Sequence, residues 1–344
     1  MSLPPIEIPL GAMRFNSDSN RLEYWNGSIW MQIHTFSPNL DGGARGVFHA
    51  GRTSSGTEVN NIDFITISTQ GNAVDFGDST QATEANNTSC VSSRTRGLYA
   101  GGYTHPSGHQ DVIGFITIAS TGNSADFGNL TQSRRAVSGV SNATRGCFCG
   151  GLSPTPRDTV DFVTMASTGN AVDFGNLISD RQTGTGMSSP TRGVLSGGYV
   201  QPNTRVNEFI TIASTGNAQE FGDMYDNTYT KYALNGLSNS IRGLVAGGIS
   251  GAGGGDTKYI ESITMATLGN ATRFGDLSVN TRSKAGIASP TRGVYAGGRS
   301  PADPGTNSIE YVNIATEGDG VDFGDLTQAR YEHNPMGNAH GGLG

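Results

Sequence analysis

The chain writes one pattern six times. Arg-Gly recurs at Arg45, Arg96, Arg145, Arg192, Arg242 and Arg292, and Phe-Gly at Phe76, Phe127, Phe174, Phe221, Phe274 and Phe323. The clearest copies run from Ala143 through Gly150-Gly151 to Phe174, and from Pro290 through Gly297-Gly298 to Phe323. A unit of about fifty residues with short strands cannot bury a face alone, so the units must stack on one another and count as one body. Glycine fills 51 of the 344 positions, about twice the usual share. Without a three-residue period, and mixed with Thr, Ser, Asn and Ile, those glycines predict tight turns between strands rather than collagen or a disordered tract.

Each unit parses into four strands. In the third they are expected at 135–140, 146–149, 160–166 and 171–174. Phe64 and Thr66 alternate with Ile65 and Ile67, which puts apolar or Thr residues on both faces, the mark of a sheet covered on both sides. The expected fold is all-β: a six-bladed β-propeller over 44–344, with repeats starting near 44, 95, 144, 191, 241 and 291. The period and the double glycine resemble kelch repeats. Residues 330–342 align with 134–146, so the C-terminus is expected to supply the first strand of the sheet that holds Arg45; residues 36–41 are the rival for that place.

Ahead of the array, 1–35 read as a small antiparallel β-module and 36–43 as a linker of turn-formers. Met13-Arg-Phe15 and Leu22-Glu-Tyr-Trp25 alternate, Asn26-Gly27 predicts a two-residue turn, and Ile29–Ile33 returns. Both tryptophans, Trp25 and Trp30, fall in this module, which is too small to bury much surface and is expected to lean on a partner or on the propeller. Residues 11–30, from Gly11-Ala-Met-Arg-Phe-Asn to Leu-Glu-Tyr-Trp-Asn-Gly-Ser-Ile-Trp30, resemble a short element of many bacteriophage tail and tail-fibre proteins, with Met13 in place of a branched aliphatic. The units after it resemble the kelch-like repeats of tailed-phage virion proteins, particularly of marine and cyanobacterial phages.

That resemblance implies a virion protein of the phage tail, assembled in the host cytoplasm, with the module contacting other virion proteins through Trp25 and Trp30. It also implies a homo-oligomer, trimer or hexamer. A capsid or neck decoration protein and a glycan-binding or depolymerase domain are the alternatives.

The net charge of −7 and the lack of any Lys/Arg run argue against nucleic acid as a partner. Residues 1–10 show no signal-peptide pattern, and no run approaches the ~20 apolar residues that span a bilayer, so membrane insertion is not expected. Cys90, Cys147 and Cys149 read as reduced packing thiols. The Gly-Asn turns at 71–72, 122–123, 169–170, 216–217 and 269–270 are hairpin turns; nearby Asp75, Asp126, Asp173 and Asp322 lack calcium-loop spacing. Gly251–Lys258 lacks the Gly-Lys-Ser/Thr of a phosphate loop, and the six histidines show no metal spacing. No cofactor, metal or enzymatic activity is expected. The Arg-Gly arginines are read as structural, bonding to acids or to carbonyls of the next unit.

Variation among the repeats singles out a surface. Loops after the double glycine differ (103–109, 152–157, 199–203, 299–304), as do those from the fourth strand to the next first strand, of which 224–229 is the most aromatic. In an up-and-down sheet these two sets emerge on one side. That side is the expected binding face for a host-surface glycan or receptor, with Tyr103, His105, His109, Tyr199, Tyr225, Tyr229 and Arg299 as candidates.

Overall fold

Short alternating runs punctuated by Gly, Asn and Asp make strands. The computed structural model describes residues 8–16, 21–32, 44–80, 89–200, 205–225, 231–251 and 254–343. Among them the protein is all-β, its sheets antiparallel, with no α-helix and one 3-10 turn at Gly341–Leu343. The chain divides into two units, Met1–Gly43 and Ala44–Gly344.

In the first unit, β1 (Met13–Asn16), β2 (Arg21–Trp25) and β3 (Trp30–Gln32) form a meander in that order. Trp25 pairs with Trp30, so the connection is the four residues 26–29, not the two-residue turn expected from Asn26-Gly27. The cause is the Asn26 side chain, whose Oδ1 accepts the Ser28 and Ile29 amides at 2.9 Å each and holds the wider loop. Ile33, expected in the strand, lies outside the described residues.

In the second unit six sheets share one four-strand order. We number them along the chain: sheet 1 holds 45–78, sheet 2 90–129, sheet 3 138–182, sheet 4 185–223, sheet 5 235–281 and sheet 6 285–325. The first strand of sheet 1 is Asn334–Gly337, which pairs with Arg45–His49 from the other end of the array, Asn334 opposite His49 and Gly337 opposite Gly46. In sheet 3 the strands are Ser138–Ser141, Arg145–Cys149, Arg157–Thr164 and Val172–Gln182. The first begins three residues later than the pattern predicts, because Ala136 turns into the left-handed region (φ 57°).

Consecutive sheets are joined by three repeated devices. Apolar clusters straddle each pair; Val140, Cys147 and Phe174 of sheet 3 pack with Leu195, Ile210 and Ile212 of sheet 4, and Ala285, Ile287 and Val294 of sheet 6 pack with Phe48, Ile65 and Ile67 of sheet 1. A buried side chain of this size contributes about 1.5–3 kcal/mol.

The second device is the Arg-Gly arginine. Arg145 lies 4.3 Å over the Phe162 ring of its own sheet and donates to the Ile212 carbonyl of the next at 2.9 Å. Arg45, Arg96, Arg192 and Arg242 reach the next sheet in the same way, and Arg292 of sheet 6 reaches Ile67 of sheet 1 at 2.8 Å.

Third, the Gly-Asn turns are inter-sheet clamps as well as hairpins. Gly169 donates to the Phe127 carbonyl of sheet 2 and Asn170 Oδ1 accepts the Asn129 amide, 2.8 and 3.1 Å; Gly71 and Asn72 of sheet 1 do the same for Phe323 and Asp325 of sheet 6. This explains the glycine of Phe-Gly: at Gly128 a Cβ would overlap the Gly169 carbonyl, and φ is +152°.

Candidate functional site

A strand that turns a buried charge inward must show its next residue to the outside. Arg134, Arg181, Lys231, Lys284 and Arg330 are buried at or just before the first strands of sheets 3, 4, 5, 6 and 1, each paired with an acid on the third strand of the same sheet. The pairs are Arg134–Asp161 (3.0 Å), Arg181–Glu208, Lys231–Glu261, Lys284–Glu310 (3.1 Å) and Arg330–Asp63 (3.1 Å). The acids also bind the loop from the preceding sheet: Asp161 accepts the Thr131 hydroxyl at 2.7 Å and amide at 3.1 Å. Burial lowers the pKa of the Arg134, Arg181 and Arg330 guanidiniums, and the paired acid opposes that shift.

Arg135, Gln182, Tyr232 and Tyr331 follow four of these cations; the first three meet the loop after a double glycine, and Tyr331 meets the equivalent loop after Ala50-Gly51. The pairings are Arg135 with Leu152, Gln182 with Tyr199, Tyr232 with Ile249, and Tyr331 with Arg52. The next residues, Ala136, Thr183, Ala233 and Glu332, are all left-handed. Backbone bonds run from one to the next, the Thr183 amide to the Ala136 carbonyl at 3.2 Å and the Ala233 amide to the Thr183 carbonyl at 2.9 Å, while the Glu332 amide donates to the Ser283 carbonyl at 3.1 Å. The two sets of variable loops therefore adjoin, on a backbone pinned by hydrogen bonds above and ion pairs below.

Here an open cleft of about 290 Å³ is lined by Arg135, Ala136, Gln182, Thr183, Tyr199 and Tyr232. The Tyr199 and Tyr232 rings meet nearly at right angles, 86°, with centroids 5.9 Å apart. Arg135 lies over Tyr103 at 5.0 Å, and Tyr103 in turn packs edge-on against His105 (4.8 Å) and His109 (5.5 Å). Burial, then the charge of Arg135, lowers the His109 pKa. His105 approaches Glu58 at 3.9 Å.

The structure thus places Tyr199 in the cleft and gathers Tyr103, His105 and His109 beside it through Arg135. It does not bring the other candidates in. Tyr225 is half exposed and its amide is held by Glu261; Arg299 lies 5.1 Å over Tyr331, between sheets 6 and 1; Tyr229 is outside the described residues. Sequence reasoning missed Arg135, Gln182, Thr183 and Tyr232. Their signal was positional, one or two residues after each buried cation.

A second, smaller cavity of about 60 Å³ lies among the first strands, lined by Ser92, Ser141, Ser188, Ser238 and Cys90. Its hydroxyls are spent between strands: Ser141 Oγ donates to the Ser92 carbonyl and Ser238 Oγ to the Ser188 carbonyl. His340 also lines it, with Nδ1 accepting the Gly342 amide at 3.1 Å, which assigns the proton to Nε2 facing the Ser92 carbonyl at 2.8 Å. The three thiols are buried and free, and among the described residues no group of three or more His, Cys, Asp or Glu is placed to hold a metal.

In the first unit Trp25 and Trp30 meet at 5.6 Å, and Arg14 caps Trp30 at 4.2 Å while pairing with Glu23 at 2.8 Å. The tryptophans are half-buried. Met13, Phe15, Leu22, Tyr24 and Met31 share the opposite face of this sheet and are exposed, Phe15 to 64%.

No protein-family model and no curated protein sequence matches the chain. Chemically, the larger cleft offers two aromatic walls, a guanidinium, a carboxamide and a hydroxyl. Among the described residues its lining holds no carboxylate, thiol or histidine.

Proposed function

We propose that the six sheets close into a six-bladed propeller, and that the chain is a non-enzymatic virion protein of a phage tail or tail fibre that uses its variable-loop face for adhesion. Closure is supported by the sixth sheet reaching the first with the same arginine, turn and apolar cluster that join every other neighbouring pair. The virion assignment rests on the likeness of residues 11–30 to a tail-protein element. Attachment to other virion proteins is assigned to the exposed apolar face of β1–β3, which a small sheet needs covered.

Adhesion is carried by one observation: the concave site on the loop face gathers two aromatic rings, Tyr199 and Tyr232, with the polar side chains of Arg135, Gln182 and Thr183. Immunogold labelling of phage particles with antibody to residues 44–344 tests the reading. Label at the tail or fibres is expected. Label over the head would replace it with a decoration role, and release of reducing sugar from host polysaccharide by purified protein would replace it with a depolymerase.

A further inference from the structure

We propose that residues 338–343 form a lid over the cavity between the first strands, and that this lid opens while the six sheets stay folded, whatever the loop face binds.

The cavity is lined by the first strands of all six sheets, from Cys90 and Ser92 in sheet 2 through to Pro335 in sheet 1. At about 60 Å³ it has room for a few waters beside the strand edges and not for an organic ligand.

In sheets 2 to 6 the chain turns after the first strand and returns as the second. In sheet 3, Asn142 Oδ1 accepts the Arg145 amide at 2.9 Å and the strand Arg145–Cys149 follows. In sheet 1 that second place is taken by Arg45–His49, and it is the Arg45 amide that Asn338 Oδ1 accepts, at 2.8 Å. The residues after Asn338 therefore have no ladder to join. They bring His340 to the cavity instead and continue as the turn Gly341–Leu343, whose three residues are all buried.

The seat of this turn is backbone from sheets 2, 3, 4 and 5. His340 Nε2 faces the Ser92 carbonyl of sheet 2 at 2.8 Å, and Arg94 of the same sheet donates to the Leu343 carbonyl at 2.8 Å. A Cβ on Gly342 would stand 1.8 Å from the Ser141 carbonyl oxygen of sheet 3. One on Gly341 would stand 2.2 and 2.3 Å from the carbonyl oxygens of Asn239 in sheet 5 and Ser188 in sheet 4. A residue with a side chain cannot lie that close, so glycine at both places is a condition of closure. The contacts are polar and confined to one short turn, whereas the sheets are held by ladders and by apolar clusters between them. A segment fastened in that way opens before the sheets do.

Cys90 makes the opening measurable. It lines the cavity, with its thiol donating to the Pro335 carbonyl, whereas Cys147 and Cys149 are buried in the apolar cluster between sheets 3 and 4. Lifting the lid returns Cys90 to water, where it ionises more readily and reacts faster.

The test is to treat the full chain with excess methyl methanethiosulfonate and follow each thiol by mass spectrometry. Cys90 is expected to react ahead of Cys147 and Cys149 in the unaltered protein. In Gly341→Ala and Gly342→Ala it should react about tenfold faster again, the change in an opening equilibrium that loss of one hydrogen bond gives. Cys147 and Cys149 should keep their rates in both variants. If the three thiols of the unaltered protein react together, only global unfolding exposes the cavity and there is no lid. If Cys90 reacts first but at one rate in all three proteins, its path does not run through residues 338–343, and the lid is again refuted. A variant that loses its fold exposes all three thiols at once, and the order of labelling in the unaltered chain then decides.

Discussion

Tyr99 occupies, in sheet 2, the place that a carboxylate holds in the other five sheets. It stands opposite Gly114 in the ladder, and a Cβ on Gly114 would overlap its Cζ and Oη. Its hydroxyl lies 2.8 Å from Ser124 Oγ and 3.3 Å from Thr80 Oγ1, holding the incoming loop as Asp161 holds Thr131. The cation is gone as well. Arg134, Arg181 and Lys231 each lie eleven residues before an Arg-Gly arginine (145 − 134, 192 − 181, 242 − 231), and the residue eleven before Arg96 is Ala85, outside the described residues. Losing both partners together leaves no buried charge uncompensated.

Restoring the acid alone is therefore expected to harm the fold. Gly114→Asp would drive a carboxylate into the tyrosine ring with no cation to meet it, a loss of about 3–5 kcal/mol. Urea unfolding measures this; a midpoint within error of the unaltered protein would refute the account of sheet 2.

The converse holds in sheet 3. Arg134→Met and Asp161→Asn should each cost about 3–5 kcal/mol, and the double variant less than their sum, because the second change removes the group the first left stranded. A double-mutant cycle in urea gives the coupling. Additive losses would mean the two side chains act independently despite their 3.0 Å separation.

These pairs mark where the sequence stops being legible. The sheets were readable because alternation and the Arg-Gly and Phe-Gly pairs are local and repeated. The partner of Arg45–His49 was readable because 330–342 align with 134–146, Arg330 on Arg134 and Asn338-Ala339 on Asn142-Ala143. The ion pairs are neither local nor verbatim: Asp alternates with Glu and Arg with Lys, the partners lie on different strands, and in sheet 6 Thr281 takes the usual cation place while Lys284, three residues on, reaches Glu310. Tyr103 and Tyr199 were found because they follow a double glycine. Tyr232 was missed because it stands in a strand, at a place that variation among loops does not point to.

Acid should weaken the fold before its carboxylates titrate. His49 is buried against Tyr99, with rings 3.8 Å apart, and burial, then the charge of Arg330, pushes its pKa down to about 3. His333 is held well below its ordinary value by burial, Arg330, Lys284 and His49. Both are neutral in the folded state, so they exact nothing above pH ~6.5, where the unfolded chain is neutral too. Below that, the unfolded chain takes up protons the folded one refuses. Stability then falls by about 1.4 kcal/mol per pH unit for each histidine, down to pH ~3 for His49. Between pH 7 and 5 the loss is expected to be on the order of 4 kcal/mol, and His49→Phe should remove about half of it. Equal stability at the two pH values would show that these rings protonate in place.

Two truncations separate what the last residues do. Ending the chain after Gly337 keeps the strand Asn334–Gly337. It removes the Asn338 Oδ1 that accepts the Arg45 amide at 2.8 Å, the His340 contact with Ser92, and the Leu343 carbonyl that accepts from Arg94 at 2.8 Å. A loss of about 1–3 kcal/mol follows from those bonds, with unfolding still cooperative. Ending it after Gln328 also takes away Arg330 and the strand itself. Asp63 is then buried without its cation, Arg45–His49 becomes an open edge, and the first strands of sheets 6 and 2 lose the one that stands between them. If the array depends on that link to hold its ends, this shorter chain should aggregate or melt without a cooperative transition. If it melts as the longer one does, the six sheets are stable as an open stack and the ring proposed for them is wrong.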